Sequence, residues 1–153
     1  MANTYTKLNL HIVFHVKKTR IRIRIRIEDL PTVFKYIGGI ISNVGGIPLA
    51  VGGISNHIHI LAIMPKTMNV TEFVRVIKAN SSKWIKTLDD YYEPFAWQEG
   101  YGAFTVSPSV INVTKRYIEN QAKHHHEEPV IDEYKRLLDE NGIEYDERYL
   151  LND

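Results

Sequence analysis

Between residues 8 and 16 the chain alternates: Leu8, Leu10, Ile12, Phe14 and Val16 fall on one side, Asn9, His11, Val13 and His15 on the other. That period of two predicts a strand with one face toward a core. Arg20, Arg22, Arg24 and Arg26 then alternate with Ile21, Ile23, Ile25 and Ile27, either as a basic strip or as an edge strand protected by its charges. Glu28-Asp29-Leu30-Pro31 reads as a helix start, and the helix is expected to reach about Asn43 before Gly45-Gly46. Residues 47–53 and 55–64 read as two strands of a hairpin around Gly52-Gly53. Asn69 or Thr71 is placed to cap a helix running to about Leu88, with Phe73, Val76, Ile77, Trp84, Ile85 and Leu88 on its apolar face. After a long loop, 103–106 is a short strand. Ser107-Pro108 then opens a helix that reaches the histidines at 124–126. A break at Glu127-Glu128-Pro129 precedes a last helix over 130–140, stopped by Asn141-Gly142.

The order is β-α-β-β-α-β followed by two helices. It predicts an α+β fold of the ferredoxin-like, RRM-like kind, an antiparallel sheet with two helices on one face and the other face free. Neither a repeat nor a second-domain boundary interrupts it, so residues 1–153 are expected to be one domain, with 127–153 as an acidic helical tail.

Charge changes this picture more than bulk composition does. Residues 1–90 carry 13 Lys/Arg against 5 Asp/Glu, while residues 127–153 carry 3 against 10. A basic body suits a polyanion, and a match between tail and body is the alternative. With no cysteine, disulfides and thiolate metal sites are excluded. No run has the length of a membrane span and the first residues lack an apolar signal core, so a cytoplasmic location is expected.

The candidate chemistry lies in two short stretches. His57 and His59, two apart on a strand, share a face, with Leu61 and Ile63 continuing it and Ile58, Ile60 and Ala62 opposite. Paired imidazoles suit a divalent metal, although two hydrogen-bonded histidines on a half-buried strand would look the same. Tyr117 and Gln121, four apart on a helix, also share a face, and Gln121 stands where the stripe Val110, Val113, Tyr117 would call for a leucine. A phenol offers a nucleophile whose aryl oxygen later leaves easily. Two histidines and a glutamine offer a neutral metal site, expected to bind Mg²⁺ or Mn²⁺ weakly until a phosphate joins it.

Other residues are candidates for contact with nucleic acid: His11, Lys17, Lys18, Arg20, Arg22, Lys78, Ser81, Ser82, His124 and His125. Each also has a plain reading as a solvated or helix-terminal polar group. Tyr91, Tyr92, Phe95, Trp97 and Tyr101 either stack on bases or close the core.

The ordered set resembles the single-tyrosine HUH transposases of the IS200-like insertion sequences over nearly the whole chain. The segments that carry the likeness are His11-Ile12-Val13-Phe14 with Lys17, Asn56-His57-Ile58-His59-Ile60-Leu61, and Lys78 through Trp84. Trp97 through Phe104 with Val106-Ser107, and Tyr117-Ile118 with Gln121 and His124-His125, complete it. The resemblance implies cleavage and rejoining of single-stranded DNA for excision and insertion of a mobile element. Tyr117 would form a 5′-phosphotyrosine, and His57, His59 and Gln121 would hold the metal. It further implies hairpin ends as the DNA partner and a homodimer whose active sites are completed in trans. Two alternatives stand beside it: a binding module without catalysis, whether RRM-like or a domesticated copy, and a small relaxase or replication-initiator nickase.

Overall fold

A computed structural model describes residues 3–18, 23–124 and 128–150. Its sheet has four strands: β1 (Asn9–His15), β2 (Ile47–Ile54), β3 (His57–Ile63) and β4 (Gly102–Thr105). They lie in the order β2-β3-β1-β4, and every neighbouring pair is antiparallel. The helices α1 (Leu30–Asn43) and α2 (Val70–Ile85) supply the two crossovers. This is the expected ferredoxin-like α+β arrangement. No helix among the described residues is long and apolar enough to cross a membrane.

One face of the sheet is the main core. Leu10, Ile12, Phe14, Ile58, Ile60 and Ala62 meet Val33, Ile37 and Ile41 of α1 and Phe73, Val74 and Ile77 of α2. Asn69 caps α2, its side chain accepting from the Glu72 amide at 2.8 Å. Tyr92, Phe95 and Trp97 join this core, so these aromatics close it and are not open for stacking. Residues 23–26 form no strand; Ile23 and Ile25 are buried against the core, while Ile27 is exposed. Tyr91 and Tyr92 hydroxyls accept from the amides of Arg24 and Arg26, which replaces ladder pairing.

The other face is not free. It is covered by α3 (Ile111–Glu119), the single turn α4 (Gln121–His124) and α5 (Val130–Glu140). Every residue of β1 is therefore buried, on both faces. Ile118 of α3 packs on Ala50 and Leu61, and Tyr134, Leu137 and Leu138 of α5 pack with Val13 and Phe104.

Two local expectations are corrected. The hairpin turns at Ser55-Asn56, and Gly52-Gly53 lie inside β2, paired with His59 and Ile58. Gly52 is needed there because a Cβ would overlap the Ile118 carbonyl oxygen and lie 3.0 Å from its carbon. Gly53, at φ +150°, adopts backbone that side chains disfavour. The helix opened near Ser107 breaks at Asn120, so Tyr117 and Gln121 lie on separate helical pieces, α3 and α4.

Gly52→Ala should destabilise the protein by about 1–3 kcal/mol in urea unfolding, because α3 must lift off β2. Gly39→Ala is the control: nothing lies within 4 Å of its Cβ position on α1. There the helix should gain about 0.5–1 kcal/mol. Equal effects of the two substitutions would remove the close approach of α3 as the cause.

Candidate functional site

Antiparallel pairing sets His15 opposite His57 and His11 opposite Leu61, so β1 and β3 present His11, His15, His57 and His59 to the face under α3 and α5. Leu61 on that face meets Ile118, while Ile58, Ile60 and Ala62 line the core as expected. His57 and His59 are wholly buried, and Gln121 nearly so. His57 Nδ1 donates to Asn56 Oδ1 at 3.0 Å. Its Nε2 lies 3.1 Å from Gln121 Oε1 and 3.3 Å from a carboxylate oxygen of Glu133. His59 Nε2 lies 2.8 Å from that same Glu133 oxygen, and its Nδ1 is 2.7 Å from His11 Nε2.

Glu133 belongs to α5 in the acidic tail, yet it is only 1% exposed. Its second oxygen accepts from the Tyr117 hydroxyl and, at 3.3 Å, from Gln121 Nε2. The carboxylate thus ties the HUH-like strand to the tyrosine within one chain. Arg136, one turn further along α5, donates to the same tyrosine oxygen at 2.8 Å. Burial and then the Glu133 carboxylate hold the Tyr117 phenol above its ordinary pKa, while Arg136 pulls it down.

The donor set is compatible with a divalent cation. His57 Nε2 faces two acceptors, Gln121 Oε1 and Glu133 Oε1. Such convergence is favourable only with a proton or metal ion among them. Neighbouring ligands of an octahedral ion bound at about 2.1 Å are about 3 Å apart. The separations of 2.8, 3.1 and 3.3 Å match that spacing. His57, His59 and Glu133 form a buried group able to hold a metal. Histidine ligands are oriented by what binds their second nitrogen, and Asn56 and His11 occupy that position.

Sequence reasoning missed Glu133 and Arg136. The readable signal was a carboxylate inside the apolar stripe of α5, between Val130 and Tyr134, Leu137, Leu138. Other expectations need correction. His11 is buried and bonded to His59, so it is a partner of the site and not an exposed DNA contact. Ser81 is fully buried, its oxygen accepting from the Trp97 indole at 2.9 Å. Val110 and Val113 are exposed walls of an open cavity beside Tyr117, not packed core. Lys78 donates to the carbonyls of Glu99 and Gly100, Lys17 pairs with Glu99, Lys18 is exposed and Ser82 half-buried. Arg20, Arg22, His125 and the side chain of His124 lie outside the described residues.

Comparison with known proteins bears on the family and the fold. Residues 4–121 match the family described as "Transposase IS200 like", and the chain belongs to that family. It is a single-tyrosine HUH transposase. No curated protein matches the sequence. The fold is similar to that of a candidate transposase from Deinococcus radiodurans R1, with a TM-score of 0.57 and 19% identity. That likeness covers 79% of this chain and 95% of the other. It is also similar to a REP-associated tyrosine transposase bound to a REP hairpin, with a TM-score of 0.56 and 13% identity. There 82% of this chain and 73% of the other are covered. The family match ends before α5 begins.

His11 provides a test of the packing around the site. Burial, then the neighbouring His59, lowers its pKa from 6.5 to about 3. Between those values the unfolded chain binds the proton and the folded chain does not, so stability is full above pH 6.5 and falls as pH drops. From pH 7 to pH 5 this group should remove about 2 kcal/mol. Urea unfolding in chelator should show that loss in the wild type and a clearly smaller one in His11→Gln; identical losses would deny His11 its buried neutral state.

Proposed function

We propose that this transposase cuts and rejoins single-stranded DNA through Tyr117, using a divalent metal held by His57, His59 and Gln121, with Glu133 as a further ligand. The observation that carries the reading is the meeting of the Tyr117 hydroxyl with the buried carboxylate that also faces both histidines. When bound, Mg²⁺ or Mn²⁺ would polarise the scissile phosphate and neutralise charge on its oxygens.

In the cleavage step the Tyr117 Oη–P bond forms as the P–O3′ bond breaks. The phenol gives up its proton along the hydrogen bond to Glu133, and the departing 3′ oxygen takes one up. A 5′-phosphotyrosine and a free 3′-OH result, and attack by a 3′-OH reverses the step. The aryl ester keeps the bond energy, so rejoining needs no nucleotide cofactor.

The DNA is read as the hairpin ends of a mobile element, a proposal supported by the hairpin bound to the REP-associated relative. In this reading residues 1–153 act as one HUH domain with 127–153 as its tail. The homodimer implied by the family stays part of the proposal, but the geometry favours a site completed in cis, with Tyr117 against its own His59 at 5.8 Å between ring centroids.

Purified protein with labelled single-stranded DNA from the gene's flanks and Mn²⁺ should give a covalent adduct on a denaturing gel. Tyr117→Phe should abolish it, and His57→Ala should abolish metal-dependent cleavage while hairpin binding changes little. Tight binding by the wild type with no adduct would favour a non-catalytic module. Mixing Tyr117→Phe with His57→Ala separates the two assemblies. No recovery of adduct is expected for sites completed in cis, whereas recovery toward about a quarter of the wild-type level at equal total protein would establish trans completion.

A further inference from the structure

Arg136 is held as an anion receptor is held. Its Nε and Nη2 donate to the two oxygens of Glu128 at 3.3 and 3.2 Å, and Nη1 donates to Glu140 at 3.2 Å. Nη2 also reaches the Tyr117 oxygen. The guanidinium is about one-third exposed, and Glu140 is more exposed still, so the anion on Nη1 is open to exchange with solvent species. Both residues border a cavity of about 260 Å³ whose wall includes Tyr117, Thr105, Ser107 and Thr114. That wall sets a phenol, a guanidinium and hydroxyls around a space open to solvent.

We propose that Arg136 is a catalytic residue, binding a non-bridging oxygen of the scissile phosphate beside Tyr117 while the adjoining nucleotide enters this cavity. The inference rests on the reading of Tyr117 given above. Any phosphorus joined to Tyr117 Oη falls within reach of a donor already 2.8 Å from that oxygen. A planar fork of N–H groups matches phosphate as it matches the carboxylates now occupying it. The phosphate exchanges with Glu140 on Nη1, while Glu128 keeps the fork oriented. Arg136 stays protonated throughout; it neither gives nor takes a proton as the Oη–P bond forms and the P–O3′ bond breaks. Metal and guanidinium then neutralise the phosphoryl oxygens from two sides. The residue lies outside the segment that matches the family, on the element that also delivers Glu133.

The test is single-turnover adduct formation on the flank-derived hairpin DNA with Mn²⁺, alongside a gel shift of the same DNA. Arg136→Ala should slow adduct formation about 10³-fold, the lower end of what a transition-state arginine supplies. Hairpin affinity should stay within about threefold, and tens of millimolar guanidinium should restore at least about tenfold of the rate. A wild-type rate in Arg136→Ala overturns the proposal, as does a loss that guanidinium does not restore. Should that variant not fold, Arg136→Lys decides: it keeps the charge without the fork, so a rate at least about tenfold down supports the proposal and an unchanged rate overturns it. A wild type that forms no adduct overturns the reading of Tyr117 itself, which keeps the two failures apart.

Discussion

The burial of the Glu133 carboxylate is the constraint on which the second face of this protein depends. A charge that is 1% exposed must be matched by hydrogen bonds and opposite charge, or it costs several kcal/mol. Its partners come from three segments: the histidines of β3, Tyr117 of α3 and Gln121 of α4. The tail therefore cannot dock correctly unless α3 is also in place. Apolar packing of Tyr134, Leu137 and Leu138 supplies the area that holds α5 down. The carboxylate supplies the register, because sliding the helix by one residue would bury an unmatched charge.

The sheet makes this economy possible by dividing its two faces. On β1 and β3 the even-numbered apolar residues serve the core, while His11, His57 and His59 face the site. Two-sided burial of β1 removes solvent from both. The histidines consequently sit among fixed partners: Asn56 and His11 bind their second nitrogens and aim the first toward Glu133 and Gln121. Gly52 does for the backbone what those bonds do for the rings, since it lets the Ile118 carbonyl approach β2 and so sets the height of Tyr117 above the sheet.

What could be read from sequence was what depends on local spacing. Period two put His57 and His59 on one face, and the start of α2 was narrowed to Asn69 or Thr71, of which Asn69 is the cap. The Tyr117–Gln121 spacing survived even the helix break at Asn120, because Gln121 Nε2 still reaches the Tyr117 carbonyl at 3.4 Å. What could not be read depends on contacts between distant segments. Glu133 is 74 residues from His59, and its oddness was visible only as a charge within an apolar stripe. Val110 and Val113 looked like core because periodicity reports amphipathicity and not what lies opposite. Ser81 looked like a backbone contact until Trp97 was found to need an acceptor. The same cause turned a face expected to be free into one covered by α3 and α5.

The acidic tail acquires a different meaning from this arrangement. Its excess of acids suggested a counterweight to a basic body, spread over a surface. The structure instead concentrates the tail's influence at two side chains one helical turn apart, Glu133 and Arg136. In the proposed reading their charges have separate tasks. Two histidines and an amide leave a divalent ion with its full charge and hold a hard cation poorly. Adding one carboxylate strengthens the site and still leaves a single positive charge, which is the complement of one phosphodiester. A second carboxylate at the ion would satisfy it fully and weaken its pull on the phosphate. Arg136 adds positive charge without competing for the ion, because a guanidinium has no lone pair to coordinate. The tail thus tunes the electrostatics of a site whose other ligands come from the family's common core.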